Sequence, residues 1–163
     1  MDSIIIYSDG SCAPNPGFGG WASLFLFSDG KKHVIYGNSE IKTTNNRMEL
    51  TSAIEALKYL KTPHHITFRM DSQYVILGMR QWRFKWKKFH WKKKLTDEAY
   101  IKNVDLWQEL DLLSYKHDID WKWVQGHFND KYNEICDTVA NRIAVNTFKK
   151  LKKNNYNKNV RRK

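Results

Sequence analysis

The spacing of apolar positions changes period along the chain, and the changes divide it into strands and helices. Residues 4–8 (IIIYS) are a continuous apolar run of strand length, as in a strand buried on both faces. The stretch DGSCAPNPGFGG that follows is rich in Gly, Pro and Asn and predicts a turn. Residues 21–27 (WASLFLF), a hairpin signal at SDGKK and residues 32–37 (KHVIYG) predict two more strands, giving an antiparallel meander. From 46 to 60 the period becomes helical, with Thr44 or Asn45 as N-cap. Residues 65–70 (HITFRM) predict a fourth strand and 72–79 a short helix. Over 103–115 a helix carries Val104, Trp107 and Leu110 on one stripe, and 119–124 (IDWKWV) alternates as a fifth strand. A last helix spans about 132–148. Strand–helix–strand–helix late in the chain implies parallel crossovers onto one sheet. The predicted class is α/β: a five-stranded mixed sheet, three antiparallel strands and then two parallel ones, flanked by helices.

Four acids fall at telling places in this pattern. Asp9 and Asp71 stand at the C-terminal ends of predicted strands, where open α/β sheets bind ligands. Glu49 lies in the first turn of its helix, in line with Ala53, Ala56 and Leu60, so its carboxylate points inward. Asp137 lies early on the last helix, in line with Ala140 and Ala144. Taken singly, each has an ordinary explanation as a turn acid, a capping acid or a partner of the helix dipole. Taken together, four inward carboxylates repel one another unless cations bind. Hard divalent ions such as magnesium take oxygen ligands of this kind.

Charge narrows the partner. The 163-residue chain is of a length that suits one domain, and its formal net charge of +11 points to a polyanion. Residues 80–94 hold eight Lys/Arg and no acid, and so do residues 149–163. Removing those sixteen from the twenty-eight bases leaves twelve against seventeen acids, so the remainder is net negative. An acidic body with two basic appendages suits a metal-using nuclease. The two cysteines, Cys12 and Cys136, form no zinc-like cluster and read as reduced thiols. No apolar run reaches membrane length, so a cytoplasmic protein is expected.

The strings SDGSCAPNPGFGGW, TTNNRMEL, MDSQYV, NVDLWQELD and GHFNDKYNEICDTVAN, in this order over about residues 3–145, closely resemble type 1 ribonuclease H, the bacterial-style enzyme. The resemblance implies endonucleolytic hydrolysis of the RNA strand of an RNA–DNA hybrid, leaving 3′-hydroxyl and 5′-phosphate ends. It implies two Mg²⁺ ions, replaceable by Mn²⁺, held by Asp9, Glu49, Asp71 and Asp137, with Asp9 bridging. It matches His127 to a loop histidine that shuttles protons or helps product leave, a role suited to an imidazole. Cys12, Asn15, Asn45, Asn46 and Gln73 would read the hybrid across its minor groove, and Thr44 with Asn15 would grip a DNA-strand phosphate. The catalytic domain would span 1–148 and act as a monomer.

The segment from about 80 to 102 resembles the family's basic handle. Its aromatics, Trp82 and Trp91 among them, interleave with Lys87, Lys88, Lys92, Lys93 and Lys94, which would line the DNA backbone. Trp82 and Trp86 stand four apart, a spacing that packs the handle onto the body. Two features depart from the family pattern. Phe89 and His90 replace a glycine common in such handles, and the loop after His127 lacks glycine. Residues 149–163 have no apolar periodicity and are expected to be a disordered tail. A related-fold nuclease acting on DNA would not need the TTNN segment and Asn15, and a hybrid-binding protein without catalysis would not need the full acid set.

Overall fold

A computed structural model describes residues 1–126 and 130–162, apart from the side chain of Glu40. The elements run β1 (Asp2–Ala13), β2 (Gly17–Phe27), β3 (Lys32–Thr43), α1 (Asn45–Tyr59), β4 (His64–Met70), α2 (Gln73–Leu77), a π-helical turn (Gly78–Trp82), α3 (Arg83–Lys88), α4 (Val104–Ser114), β5 (Asp118–Trp123) and α5 (Lys131–Arg161). The five strands form one sheet in the order β3-β2-β1-β4-β5. The β1–β2 and β2–β3 pairs are antiparallel, and β1–β4 and β4–β5 are parallel, as the period pattern predicts.

Alternation along β1 sets the two sides of the sheet. Ile4 and Ile6 enter the larger core, with Phe25, Phe68 and Met70, beneath Leu50, Ala53 and Leu57 of α1 and Trp107 and Leu110 of α4. Tyr7 turns the other way with Ala22 and Leu24, against Cys136 and Ala140 of α5. The sheet is therefore sandwiched between α1 with α4 and the single helix α5.

The main disagreement with the sequence pattern lies in DGSCAPNPGFGG. Most of it is strand: β1 pairs with β2 up to Ala13↔Phe18, and only Pro14–Pro16 remain as a turn. The glycines read as turn signals are packing signals. A Cβ on Gly10 would lie 2.1 Å from the Met48 carbonyl carbon of α1, and one on Gly20 would lie 2.3 Å from the Ala140 oxygen of α5. Bare backbone at these positions lets a helix rest directly on each face.

The handle continues out of α2 and docks on α4. Trp86 meets Trp107 edge-on at 5.1 Å between centroids, and Tyr74 meets it at 5.1 Å from the other side. Trp82 is more exposed and rests on Trp86 at 5.9 Å. Of the expected Trp82/Trp86 pair, Trp86 therefore carries most of the docking. Arg83 pins the junction, with Nη1 3.0 Å from Asp111 Oδ1 and 2.8 Å from Ser114 Oγ. Lys87, expected on the substrate side, also turns to the body, 3.3 Å from Asp111 Oδ2 and bonded to the Tyr115 hydroxyl. Asp111 is buried, and two cations satisfy it. Changing Arg83 to Met leaves that carboxylate with Lys87 alone. We expect a loss of about 3 kcal/mol in denaturant unfolding.

After α3 the chain reverses through His90 (φ 53°) and Trp91 (φ 63°). The left-handed conformation costs about 1 kcal/mol per residue. Packing of the Trp91 ring against the main core offsets part of it.

Residues beyond 148, expected without regular structure, continue α5 without interruption to Arg161. The packed part of the helix has already met the cost of nucleation, so each further residue needs only to propagate it. Among the described residues, no helix is long and apolar enough to cross a membrane.

Candidate active site

The parallel pairing of β1 with β4 ends at Tyr7↔Arg69, and the two strands part there. Asp9 follows on β1 and Asp71 directly after β4, so the pair faces across the opening between them. α1 lies over Gly10 and brings Glu49 down from above. One oxygen from each of Asp9, Glu49 and Asp71 lies within 4.8 Å of the others. Asp137, in the second turn of α5, comes within hydrogen-bond reach of Asp9. The four acids thus meet at one place. His127 lies outside the described residues.

Neighbouring groups fix the carboxylates. The backbone N–H of Gly10 donates to Asp9 Oδ1 at 2.8 Å. Ser72 caps α2 by accepting from the Val75 N–H, and its hydroxyl donates to Glu49 Oε2 at 2.8 Å. Asn133, buried in the first turn of α5, donates from Nδ2 to Asp71 Oδ2 at 3.4 Å. A side chain on Gly126 would place its Cβ 3.1 Å from Asp71 Oδ2, so the chain passes close over that carboxylate. The sequence reading missed Ser72, Asn133 and Gly126. The helix-start pattern DSQ was a usable signal for Ser72, whereas the other two become visible only once α5 and its approach are placed.

Burial and mutual repulsion hold protons on this cluster. Loss of hydration comes first in pushing Asp9 up to about 9, with Asp71, Asp137 and Glu49 adding to it. Burial likewise raises Glu49 to about 7, with Asp71 adding to the rise and the Ser72 hydrogen bond opposing it. Close, desolvated carboxylates of this kind make a set of hard oxygen ligands suited to a divalent cation, which would displace the protons. The residues present fit such an ion.

The nucleic-acid candidates fall in two groups. Asn45 Oδ1 accepts from the Cys12 N–H at 2.7 Å, and Asn15 Oδ1 accepts from the Asn45 N–H at 3.2 Å. The β1–β2 turn is thereby tied to the start of α1, where Thr44 caps the helix by accepting from Arg47 N–H. Asn46 and Gln73 are exposed on the first turns of α1 and α2, on the same rim. The Cys12 thiol is buried and bonded to the Thr43 oxygen at 3.3 Å, so only its backbone belongs to the rim. In the second group, on the handle, Lys88, Lys93 and Lys94 are exposed. Lys92 lies 5.5 Å over the Tyr100 ring, Trp91 packs inward, and Lys87 is engaged with Asp111.

Comparison with known proteins agrees with this arrangement. The ribonuclease H family profile matches residues 1–145. The ribonuclease H of Alcanivorax borkumensis is 49% identical over 142 residues, covering 87% of this chain and 91% of the relative. That of Wolbachia pipientis wMel is 48% identical over 142 residues, covering 87% of this chain and 95% of the relative. Among solved structures, LC9-RNase H1, a type 1 RNase H with the type 2 active-site motif, superposes with a TM-score of 0.76 at 30% identity, covering 86% of this chain and 71% of that one. LC11-RNase H1, solved in complex with an RNA/DNA hybrid, shares the fold at a TM-score of 0.66 and 18% identity, covering 89% of this chain and 99% of that one. With its sheet order, its converging acids and near-half identity to these enzymes along most of its length, the chain belongs to the ribonuclease H family of nucleases.

Proposed function

We propose that the protein cleaves the RNA strand of RNA–DNA hybrids endonucleolytically, leaving 3′-hydroxyl and 5′-phosphate ends. The observation that carries this reading is the meeting of Asp9, Glu49 and Asp71 within 4.8 Å, with Asp137 beside Asp9. These four residues would hold two Mg²⁺ ions, or Mn²⁺ in their place. When bound, the ions supply an activated water and neutralise charge on the leaving 3′ oxygen. Asp9, central among the four, would be the ligand shared between them. Ser72 and Asn133 hold Glu49 and Asp71 in place for that duty. His127, by its match to the family's loop histidine, handles the proton.

Hybrid selectivity is assigned to the rim. Asn15, Asn45 and Asn46, the Cys12 backbone and Gln73 lie where a minor groove would cross, with Thr44 and Asn15 gripping the DNA strand. Asn and Gln offer both donors and acceptors to a 2′-hydroxyl without adding charge near the acids. The handle lysines supply affinity for the DNA backbone. All four acids come from one chain, so a monomer suffices, and the reading places it in the cytoplasm.

The direct test is cleavage of labelled hybrid, double-stranded RNA and double-stranded DNA with Mg²⁺, Mn²⁺ or EDTA. We expect hybrid cleavage only, abolished by EDTA. Cleavage of double-stranded DNA would favour a DNA nuclease of the same fold and sink the reading. Neutralising Lys88, Lys93 and Lys94 together should raise KM about tenfold with little change in kcat, since these groups bind ground and transition states alike. Lys87 is excluded from that set because its change would also loosen the handle.

A further inference from the structure

The basic segment beyond residue 148 is a helical arm aimed by the active site's own helix. α5 climbs alongside β1. Cys136 Sγ lies 3.5 Å from the Tyr7 oxygen, the Asn141 side chain lies 3.4 Å from Ser11 Oγ, and the Phe148 ring lies tilted at 6.3 Å from that of Phe18, the residue paired with Ala13. At Phe148 the helix has therefore reached the level of the β1–β2 turn that carries Asn15. The remainder, to Arg161, extends past that turn, exposed from Lys152 onward.

The side of α5 that looks toward the acids can be followed along its length. Asp137, Asn141 and Phe148 lie on it, and the same helical stripe continues through Lys152, Asn155, Asn159 and Arg162. Below the turn the stripe serves the site; above it, it carries only amides and cations. Residues 149–163 contain no acid, and among the described residues none of their cations pairs with a carboxylate. Lysine and arginine without carboxylate partners, with asparagine, on one helix face match the donors used on phosphates and sugars. From Asp137 to Arg162 the rise is about 37 Å, roughly one turn of a duplex.

We propose that this face of the arm binds the phosphate backbone of the duplex held at the acids, about one helical turn from the cleaved bond and on the side of the β1–β2 turn away from the handle. The inference rests on the hybrid-cleavage reading, because it needs a duplex across the acids and Asn15. The enzyme then grips its substrate at two separated places, the handle and the arm, with chemistry between them. The arm adds affinity and processive hold without contributing to the chemical step.

Two triple variants separate placement from total charge. Lys152, Lys158 and Arg162 lie on or beside the site-facing stripe, and Lys150, Lys153 and Arg161 lie on the opposite side. Each set is changed to Gln in the full chain, which removes the same charge and keeps the helix. Cleavage is measured against salt on a long hybrid and on one cut back to within about five base pairs of the cleaved bond on the turn side. The first variant should raise KM on the long hybrid about tenfold, with kcat unchanged. It should also flatten the log KM–log salt slope by up to about 2–3, at about 0.9 per lost phosphate contact. The second variant should leave both near wild type, and neither should alter KM on the short hybrid. Equal effects of the two variants, or an effect on the short hybrid, would overturn the proposal, since the segment would then act only as diffuse charge. Failure of the wild type to cut hybrid at all would instead sink the underlying functional reading.

Discussion

Replacing Asp9 by Asn should abolish cleavage and, at the same time, make the metal-free protein more stable at neutral pH. The first effect follows from the position of Asp9 between Asp71, Glu49 and Asp137. On the proposed two-ion reading, losing this ligand would remove several kcal/mol of charge stabilisation, so kcat/KM should fall at least about 10³-fold. The second effect comes from the same burial. Asp9 is raised to about 9 in the folded chain from an ordinary value of 3.8. A raised folded pKa contributes stability below the unfolded value, and that contribution is lost as pH climbs through the folded one. Metal-free wild type should therefore lose stability steadily from about pH 4 toward pH 9, with Glu49, raised to about 7, adding to the slope. The amide carries no charge to desolvate. We expect the variant to be more stable by roughly 2–4 kcal/mol at pH 7 in EDTA, with a shallower pH dependence. Added Mg²⁺ should raise the wild-type melting temperature and change the variant little. Melts across pH 5–9 with and without Mg²⁺ would decide it; a variant no more stable than wild type in EDTA would show that the cluster is not under the repulsion described.

Changing Gly10 to Ala should cost both stability and rate, although the residue touches no substrate. The added methyl would lie 2.1 Å from the Met48 carbonyl carbon and 2.3 Å from the Glu49 nitrogen, both backbone atoms of α1. Neither can turn aside as a side chain does, so α1 must lift from β1 by about an ångström and carry Glu49 away from Asp9. Overpacking of this kind costs about 3 kcal/mol. A misplacement of that size should lower kcat about 100-fold. Gly78 to Ala is the control: its methyl would meet the Trp107 ring at 2.0 Å, in the handle dock and away from the acids. Both variants should lose stability, but only the Gly10 variant should lose kcat while still folded at low temperature. Equal kcat in the two would mean that the seat of α1 does not set the position of Glu49.

The acids were legible because each carried a local string and a place at an element's end. The strand meander, the later crossovers and the helices over 46–60 and 103–115 were legible because their periods of 2 and 3.6 are strong. Other features were not. The glycines of 9–20 looked like turn residues because a sequence records missing side chains and not what occupies the space. Lys87 looked like its exposed neighbours until α4 was placed and Asp111 was found buried beneath it. The arm looked disordered because its own residues bury nothing. Its helix is inherited from packing by Cys136, Ala140 and Ala144, upstream of it.

By itself, the sequence determined the fold class, the four carboxylates, the family and the split between an acidic body and basic appendages, since composition, period and motif are all properties of neighbours along the chain. Only the tertiary structure decided which oxygens meet within 4.8 Å, that Ser72 and Asn133 hold two of the acids, which handle cation is spent on the body, and where the basic arm points. These depend on how closely elements distant in sequence approach one another. That distance is fixed by side-chain volume and buried charge across the interface, and no local pattern in the chain encodes it.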